Sequence, residues 1–212
     1  MVAARSFPFS TVVNTIPQDK SNGYEQIAET FMRARNPRIG PATVRQWSRT
    51  LPPGAEILDL GCGHGYPISQ ALSDGGFVIY GVDASATLIT AFRERFPQAR
   101  TECAAVEESE FFCRTFNAVV AWGLMFLLPP DTQTTLIGKI ARALNPGGKF
   151  LFTFPHEATT WSDSLTGRIS ISLGAERYQQ ILRAEGLVVV GETVDEGENY
   201  YYFASKPHLE PK

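Results

Sequence analysis

The sequence predicts an α/β fold with three layers, in which a mostly parallel sheet has helices on both faces. From Glu56 onward, short apolar runs alternate with segments of helical periodicity. The runs are nearly all apolar, as is typical of strands that are buried on both faces. With 212 residues, of which 43% are hydrophobic, the chain has enough apolar material for one full-size domain.

Individual elements follow from this alternation and from their end signals. The strands predicted in the alternating region are 56–60, 77–82, 100–104, 118–121 and 149–154. The helices predicted between them are 67–73, 86–96 and 131–144. Ser85 is a suitable N-cap for the helix at 86–96, and Pro146 with the two glycines after it indicates the end of the last helix.

In the C-terminal part, the sequence predicts a helix at 175–185. It then predicts an antiparallel hairpin of strands 187–194 and 200–204, which would close one edge of the sheet. Residues 155–173 are predicted to form a loop that is long for a connection of this kind. Long loops at this edge often hold substrate, but Asp163 and Arg168 are equally consistent with a local structural pair.

Two amphipathic segments, 24–35 and 41–50, precede the first strand and are predicted to lie over the site as a helical cap. Residues 1–20 are expected to be a flexible or lid segment, 21–206 a single domain with the cap at 22–50, and 207–212 a tail.

Composition excludes several classes of function. With 19 Lys and Arg against 22 Asp and Glu, the formal charge is −3, so a nucleic-acid partner is not expected. The longest apolar stretch, 118–128, has 11 residues and is well short of the roughly 20 of a membrane span. The sequence therefore predicts neither nucleic-acid binding nor membrane insertion.

Cysteine and histidine usage points to a reducing environment and to no metal. Cys62, Cys103 and Cys113 are widely spaced and form no C-x-x-C pair. The three histidines have no neighbour at the spacing of helix-borne ligands. No secretory signal is evident at the N-terminus, so a cytoplasmic location is expected.

The most informative motif is ILDLGCGHG at 57–65, a buried strand that ends near Asp59 and runs into glycines at 61, 63 and 65. Glycines in such a turn let a ligand lie against the main chain. A dinucleotide site would need G-x-G-x-x-G, but Tyr66 occupies the third glycine position. The motif favours a nucleoside ligand without a pyrophosphate, and Asp59 suits an ammonium group.

Asp83 ends the second predicted strand, 24 residues after Asp59, and Ala84 follows it. A carboxylate at this place can accept hydrogen bonds from two ribose hydroxyls, each about 1.5–3 kcal/mol when sheltered from water.

The order and spacing of ILDLGCGHG, GVDAS, FNAVVAWG and LNPGGKFLFTFP resemble those of the class I S-adenosylmethionine-dependent methyltransferases. The resemblance covers about residues 20–206 and implies a Rossmann-like, seven-stranded sheet whose last strand is antiparallel. It also implies S-adenosyl-L-methionine as cofactor, S-adenosyl-L-homocysteine as product, and direct in-line methyl transfer to a small-molecule acceptor. Asp59 and the glycines would contact the methionine part, Asp83 the ribose, and the loop after the third strand the adenine.

Two positions depart from the family pattern. The adenine loop has Ala104, Ala105 and Val106 where an acid is common, so backbone groups near Ala105 and Val106 are expected to hold the ring, with help from Glu107. The fourth strand has Asn117 where the family usually has Asp. The predicted cofactor contacts are Asp59, Gly61, Cys62, Gly63, Gly65, Asp83, Ala84, Ala105, Val106, Glu107 and Trp122.

Further side chains are candidate parts of the site. Trp122 is expected to line the cofactor pocket, because an aromatic face attracts a sulfonium cation. If the acceptor must lose a proton, His156 is the first candidate for the base and Tyr24 the second. Cys62 is expected to fill space inside the turn, and His64 either contacts a ligand or faces solvent.

Two alternatives accompany this hypothesis. A non-catalytic module that binds S-adenosylmethionine or S-adenosylhomocysteine, as a sensor or partner subunit, is consistent with the altered adenine loop and with Asn117. A nicotinamide-dependent oxidoreductase is disfavoured by the glycine spacing. The acceptor, the atom that is methylated and the oligomeric state are left open.

Overall fold

The computed structural model describes residues 19–208, so the lid predicted for residues 1–20 and the tail at 207–212 lie mostly outside the described residues. Its α-helices are α1 (Ala28–Ala34), α2 (Pro41–Ser48), α3 (Ile68–Asp74), α4 (Ala86–Arg95), α5 (Pro130–Ala143) and α6 (Ala175–Ala184). Its strands are β1 (Glu56–Leu60), β2 (Val78–Asp83), β3 (Arg100–Cys103), β4 (Phe116–Ala121), β5 (Leu144–Thr153), β6 (Ala158–Ser162), β7 (Ile169–Leu173), β8 (Val188–Val194) and β9 (Tyr200–Ser205).

Seven of these strands form one sheet in the order β3-β2-β1-β4-β5-β9-β8. The pairs from β3 to β5 are parallel, whereas β9 runs antiparallel to both β5 and β8. The predicted seven-stranded sheet with an antiparallel last strand is therefore confirmed. Because β1 lies at the centre between β2 and β4, the carboxyl ends of these three strands meet at the same edge.

Helices cover both faces of the sheet, which confirms the three-layer prediction. Along β4, Ala118 and Val120 pack into the core cluster that includes α2, α3 and α4 side chains. Val119 and Ala121 pack into the opposite cluster, which includes side chains of α5 and α6. The alternation follows from the pleat of a strand, which points successive side chains to opposite faces.

The prediction of a loop at 155–173 was wrong. β6 and β7 pair antiparallel as a separate two-stranded sheet. The sequence ISISL alternates apolar and polar residues, and ATTWS is mostly polar and exposed, so both lack the continuous apolar run that marks buried parallel strands. The Ser172 hydroxyl donates to the Pro155 carbonyl at 2.7 Å and fixes the base of this hairpin.

The N-terminal region also differs from its prediction. α1 begins at Ala28 and not near Tyr24, because the Asp19 carboxylate accepts hydrogen bonds from the backbone N–H groups of Ser21 and Gly23 at 2.9 and 3.0 Å and holds that segment in turns. α2 packs into the core through Val44 and Trp47. Of the two predicted cap segments, the first is thus the one that covers the ligand edge of the sheet.

Candidate functional site

A cavity of about 720 Å³ lies at the carboxyl edge of the sheet, where β1, β2 and β4 end. Its walls include every residue predicted from the sequence to contact a cofactor, namely Asp59, Gly61, Cys62, Gly63, Gly65, Asp83, Ala84, Ala105, Val106, Glu107 and Trp122. Tyr24 also lines it. The fold therefore brings these residues together around one space.

Asp83, at the end of β2, holds the glycine turn in place. Its Oδ2 accepts a hydrogen bond from the backbone N–H of Gly63 at 2.8 Å, and its Oδ1 accepts one from the N–H of Ser85 at 2.8 Å. The N–H of Gly61 donates to the carbonyl of Val82 at 2.8 Å. Since a carboxylate has about four acceptor positions, Asp83 retains capacity for two further donors. Burial raises the pKa of Asp83, and the two backbone hydrogen bonds oppose that shift.

Asp59, within β1, is almost completely buried, with 2% of its surface exposed. Its Oδ2 accepts a hydrogen bond from the Ser69 hydroxyl of α3. Burial raises the pKa of Asp59 to about 7, the Asp83 charge adds to the rise, and the Ser69 hydrogen bond and Arg35 oppose it. A cation in the cavity would stabilise the ionised form of this carboxyl group.

The three glycines of the turn have different roles. All have positive φ, at 67°, 54° and 78° for Gly61, Gly63 and Gly65. A Cβ on Gly65 would overlap the ring of Phe96 and lie 2.9 Å from Phe92, so this glycine permits the close packing of α4. A Cβ on Gly63 would have no neighbour closer than Phe31, at 3.6 Å. Of the three glycines, Gly63 therefore has the least crowded main chain, with only ordinary van der Waals neighbours, and it lines the cavity.

The two remaining side chains of the turn are buried. Cys62 packs against Gly81 of β2, where a Cβ would come within 2.8 Å of its Sγ, and burial raises the pKa of the thiol. His64 is 4% exposed and lines the cavity, which excludes the solvent-facing alternative. Burial and the positive charges of Arg95 and Arg35 lower the pKa of His64 to about 4, so the imidazole is neutral near pH 7.

The loop after β3 places Ala105 and Val106, both buried, on the cavity wall. The N–H of Ala104 donates to the carbonyl of Asp83 at 3.0 Å and joins the loop to the end of β2. The Glu107 carboxylate lies 3.0 Å from the ammonium of Lys20, so the N-terminal segment reaches this side of the cavity.

Arg35 lines the cavity and is not among the residues predicted from the sequence. Its guanidinium lies 4.0 Å from the ring centroid of Trp122 and 5.0 Å from that of Phe31. Its Nε is buried without a hydrogen-bond partner among residues 19–208, and burial lowers its pKa to about 10. No local motif marks this residue, because the Trp122 ring beside it follows β4, far along the chain.

The Trp122 side chain is held in place by hydrogen bonds. Its indole N–H donates to the Tyr201 hydroxyl, which donates to the Asp195 carboxylate at 2.7 Å. A cation and an aromatic ring are thus fixed side by side on the wall.

The segment before α1 is docked across the cavity mouth at two points. The Glu25 carboxylate accepts hydrogen bonds from Ser85 Oγ and from the Thr87 N–H and Oγ1, the last two at 3.1 and 2.8 Å. The Ser85 bond is the main cause of a lowered pKa of Glu25. On the other side, Arg168 of the β6–β7 hairpin forms an ion pair with Asp19 at 2.7 Å.

Of the two candidate bases, Tyr24 reaches the cavity and His156 does not. Burial and the neighbouring Asp163 charge raise the pKa of Tyr24, so it stays a neutral hydroxyl near pH 7 and is a hydrogen-bond donor. His156 is exposed and lines a separate, shallower depression with residues of β7 and α6.

The Asn117 side chain lies at the opposite edge of the sheet, where its oxygen accepts a hydrogen bond from the N–H of Glu56 at 2.9 Å.

Within residues 19–208, no three His, Cys, Asp or Glu side chains cluster closely enough to hold a metal ion. No helix in the same range has the length and hydropathy of a membrane span.

The fold and the cavity define a doubly wound α/β protein whose ligand site lies at the carboxyl edge of its sheet. Residues 57–148 match the family model described as a methyltransferase domain. A ubiquinone biosynthesis O-methyltransferase of Coxiella burnetii is 31% identical over 104 residues, which are 47% of this chain and 43% of the relative.

Solved structures are similar to this chain over more of its length. The CcbJ methyltransferase of Streptomyces caelestis has a TM-score of 0.71 and 16% identity, over 89% of this chain and 99% of that one. A TehB-like S-adenosylmethionine-dependent methyltransferase of Corynebacterium glutamicum has a TM-score of 0.65 and 24% identity, over 88% and 97% of the two chains. This chain therefore contains a segment that is similar to a methyltransferase domain, and it shares the fold of S-adenosylmethionine-dependent methyltransferases of known structure. The aligned segments span about half the length of the curated relatives that it matches.

Proposed function

We propose that this protein transfers the methyl group of S-adenosylmethionine to a small-molecule acceptor by direct in-line displacement. The observation that carries the proposal is that Asp59 and Asp83 line the same cavity as the main chain of Gly63, whose N–H donates to Asp83. Asp59 can accept hydrogen bonds from the ammonium group of the methionine part, and Asp83 can accept them from the ribose hydroxyls. Gly63 has no side chain that would keep the cofactor away from the main chain.

The residues present fit the cofactor. Asp83 would accept the ribose hydroxyls with its remaining lone pairs, and the loop at Ala105 and Val106 would cover the adenine. Asp59 would pair with the ammonium group of the cofactor. The buried Arg35 Nε, which has no hydrogen-bond partner among residues 19–208, suits the carboxylate of the cofactor. The cavity volume of about 720 Å³ lies within the roughly 300–1,000 Å³ that ligand sites usually have.

When bound, the cofactor supplies an electrophilic methyl group on a sulfonium. The protein has to align the acceptor and exclude water, and such positioning can contribute roughly 7–11 kcal/mol. The Arg168–Asp19 ion pair and the Glu25 hydrogen bonds hold the N-terminal segment across the mouth and so limit the entry of water. Trp122 lines the cavity, with the Arg35 guanidinium 4.0 Å from its ring centroid.

Further observations support a small acceptor in a reducing compartment. The Coxiella burnetii relative is named for ubiquinone biosynthesis, a small-molecule context. The net charge of −3 differs from the basic balance that is typical of nucleic-acid-binding domains. Cys103 and Cys113 are exposed free thiols, as is typical of cytoplasmic proteins.

Calorimetric titration with S-adenosylmethionine and S-adenosylhomocysteine tests the binding step. Incubation with methyl-labelled S-adenosylmethionine and a metabolite extract then tests transfer, with mass spectrometry to find a product heavier by one methyl group. We expect binding of both compounds and label in a small molecule. Binding without consumption in every extract would favour the non-catalytic module, and absence of binding would contradict both.

A further inference from the structure

The geometry points to Asp163 as a catalytic residue that accepts the proton of the acceptor's nucleophile, and to an acceptor with an apolar body and an O–H or N–H group. This inference rests on the proposed methyl transfer and specifies its substrate class. It is carried by one buried carboxylate on the cavity wall and by the apolar side chains beside it.

The two oxygens of Asp163 are used differently. Oδ1 accepts hydrogen bonds from the N–H groups of Leu165 and Thr166 at 3.0 and 2.8 Å and from the Thr166 hydroxyl at 3.1 Å, which fixes the turn between β6 and β7. Oδ2 has one donor among residues 19–208, the Tyr24 hydroxyl, at the long distance of 3.4 Å. The turn thus occupies one oxygen and leaves the other with unused acceptor capacity.

The charge around Asp163 is not compensated by a neighbouring cation. Asp163 is 9% exposed and lines the cavity. Arg168, a cation of the same hairpin, is paired with Asp19 at 2.7 Å, and no ion pair among residues 19–208 includes Asp163. A sheltered carboxylate without a cation is stabilised by a ligand that donates a hydrogen bond to it.

Part of the cavity wall near Asp163 is apolar. Ile169 and Ile171 of β7 line the cavity together with Phe126, whose ring lies 5.3 Å from that of Trp161. Gln133 of α5 fixes this wall, because its side-chain NH₂ donates to the carbonyls of Leu128 and Ile171 at 2.8 and 2.9 Å. An apolar ligand body against these side chains would bury surface that is otherwise hydrated, since Ile169 is 59% exposed.

The chemical step balances with these groups. The acceptor's oxygen or nitrogen forms a bond to the methyl carbon, and the carbon–sulfur bond breaks with its electron pair passing to sulfur. The hydrogen on the nucleophile passes as a proton to Asp163 Oδ2, and the resulting carboxylic acid later releases it to water. Tyr24 is a donor with a raised pKa and does not compete for this proton.

The test is Asp163→Asn in the full chain, saturated with S-adenosylhomocysteine and titrated with three probes: benzyl alcohol, benzylamine and toluene. These share one apolar body and differ in the donor group. We expect Asp163→Asn to weaken the alcohol or the amine about 10- to 100-fold and to leave toluene unchanged. The titrations are run above the pKa of benzylammonium, so that the amine binds in its neutral form. A loss of affinity for the alcohol, for the amine or for both then gives the nucleophile as hydroxyl, amine or either.

Asn keeps an oxygen for the turn, and Thr166→Val serves as the matched control, because it removes one hydrogen bond to Oδ1 and none to Oδ2. Thr166→Val is expected to bind all three probes as the wild type does. The inference would be overturned if the alcohol and the amine bound equally well to the wild type and to Asp163→Asn. It would also be overturned if neither donor bound to the wild type. Neither result would contradict cofactor binding. Failure of S-adenosylhomocysteine to bind the wild type would instead show that the proposed function is wrong.

Discussion

The Asp83 carboxylate accepts a hydrogen bond from the backbone N–H of Gly63 at 2.8 Å across the carboxyl ends of β2 and β1. This contact joins the two sequence motifs that contain these residues. The Asp83 side chain therefore shapes the glycine turn, and the same residue lines the cavity. Changes at Asp83 are expected to affect the turn and the ligand together.

Asp83→Asn should weaken S-adenosylmethionine binding by about 100-fold or more, because the loss of charge weakens two hydrogen bonds of roughly 1.5–3 kcal/mol each. Some thermal destabilisation should accompany it, because Gly63 and Ser85 donate to different oxygens of Asp83 and Asn has only one acceptor oxygen, so one of the two hydrogen bonds is lost. Calorimetry measures the affinity. Asp74→Asn, on the exposed end of α3, is the control and should bind normally. Unchanged affinity in Asp83→Asn would show that this residue has a structural role only.

Asp59→Asn should stabilise the free protein at pH 8 and weaken cofactor binding. Burial raises the pKa of Asp59 from its ordinary 3.8 to about 7, so the folded state retains a proton that the unfolded state loses, and stability falls as the pH rises between these values. The amide removes this cost. A rise in Tm of at least about 2 °C at pH 8 is expected, corresponding to roughly 1 kcal/mol. The gain in Tm should become smaller towards pH 4. An equal gain at all pH values would show that the raised pKa of Asp59 is not its cause.

Alanine at three glycines should separate strain, packing and ligand contact. Gly76 has φ +80° and no atom within 4 Å of the position that a Cβ would take, so Gly76→Ala measures strain alone, about 1 kcal/mol. Gly65→Ala should cost about 2–4 kcal/mol in urea unfolding, because strain and overlap with Phe96 add. Gly63→Ala should resemble Gly76→Ala in stability but lose cofactor affinity. Similar stability of all three variants would contradict the packing role of Gly65.

Glu25→Ala should open the segment across the cavity mouth. Hydrogen exchange at residues 19–35 is expected to accelerate about 10-fold, because several hydrogen bonds to Ser85 and Thr87 are lost. The Ser85 bond lowers the pKa of Glu25 below its ordinary 4.5, so this stabilisation is present above that value and is lost as the pH falls through the lowered pKa. Glu29→Ala is the control, since the Glu29 side chain is exposed and its ion pair among residues 19–208 is an exposed one with Arg33 at 3.8 Å. Equal exchange in both variants would rule out the docking role.

His156→Ala should leave cofactor affinity and turnover within about two-fold of the wild type, since the imidazole is outside the cavity wall. Steady-state kinetics with the acceptor found in the extract screen measures this. A large fall in turnover would return His156 to the mechanism and would require the β6–β7 hairpin to move.

Residues that lie next to a strand end were predictable, and residues that act through distant partners were not. Asp59, Asp83 and the glycine spacing stand in short motifs whose backbone geometry is local. Arg35 gives no such signal, because it matters through its position 4.0 Å from Trp122. For Asp163 the sequence left open a substrate contact or a structural pair, and the structure shows that one oxygen serves the turn.

By itself, the sequence determined the alternation of strands and helices and the meeting of two acids at one sheet edge, because buried parallel strands need continuous apolar runs and their carboxyl ends coincide. Only the tertiary structure decided that Gly65 packs against Phe96, that residues 155–173 contain a hairpin, and that Arg35 and Asp163 line the same cavity. These features depend on packing between segments far apart in the chain, and no local pattern of residues encodes which distant side chain will fill a given space.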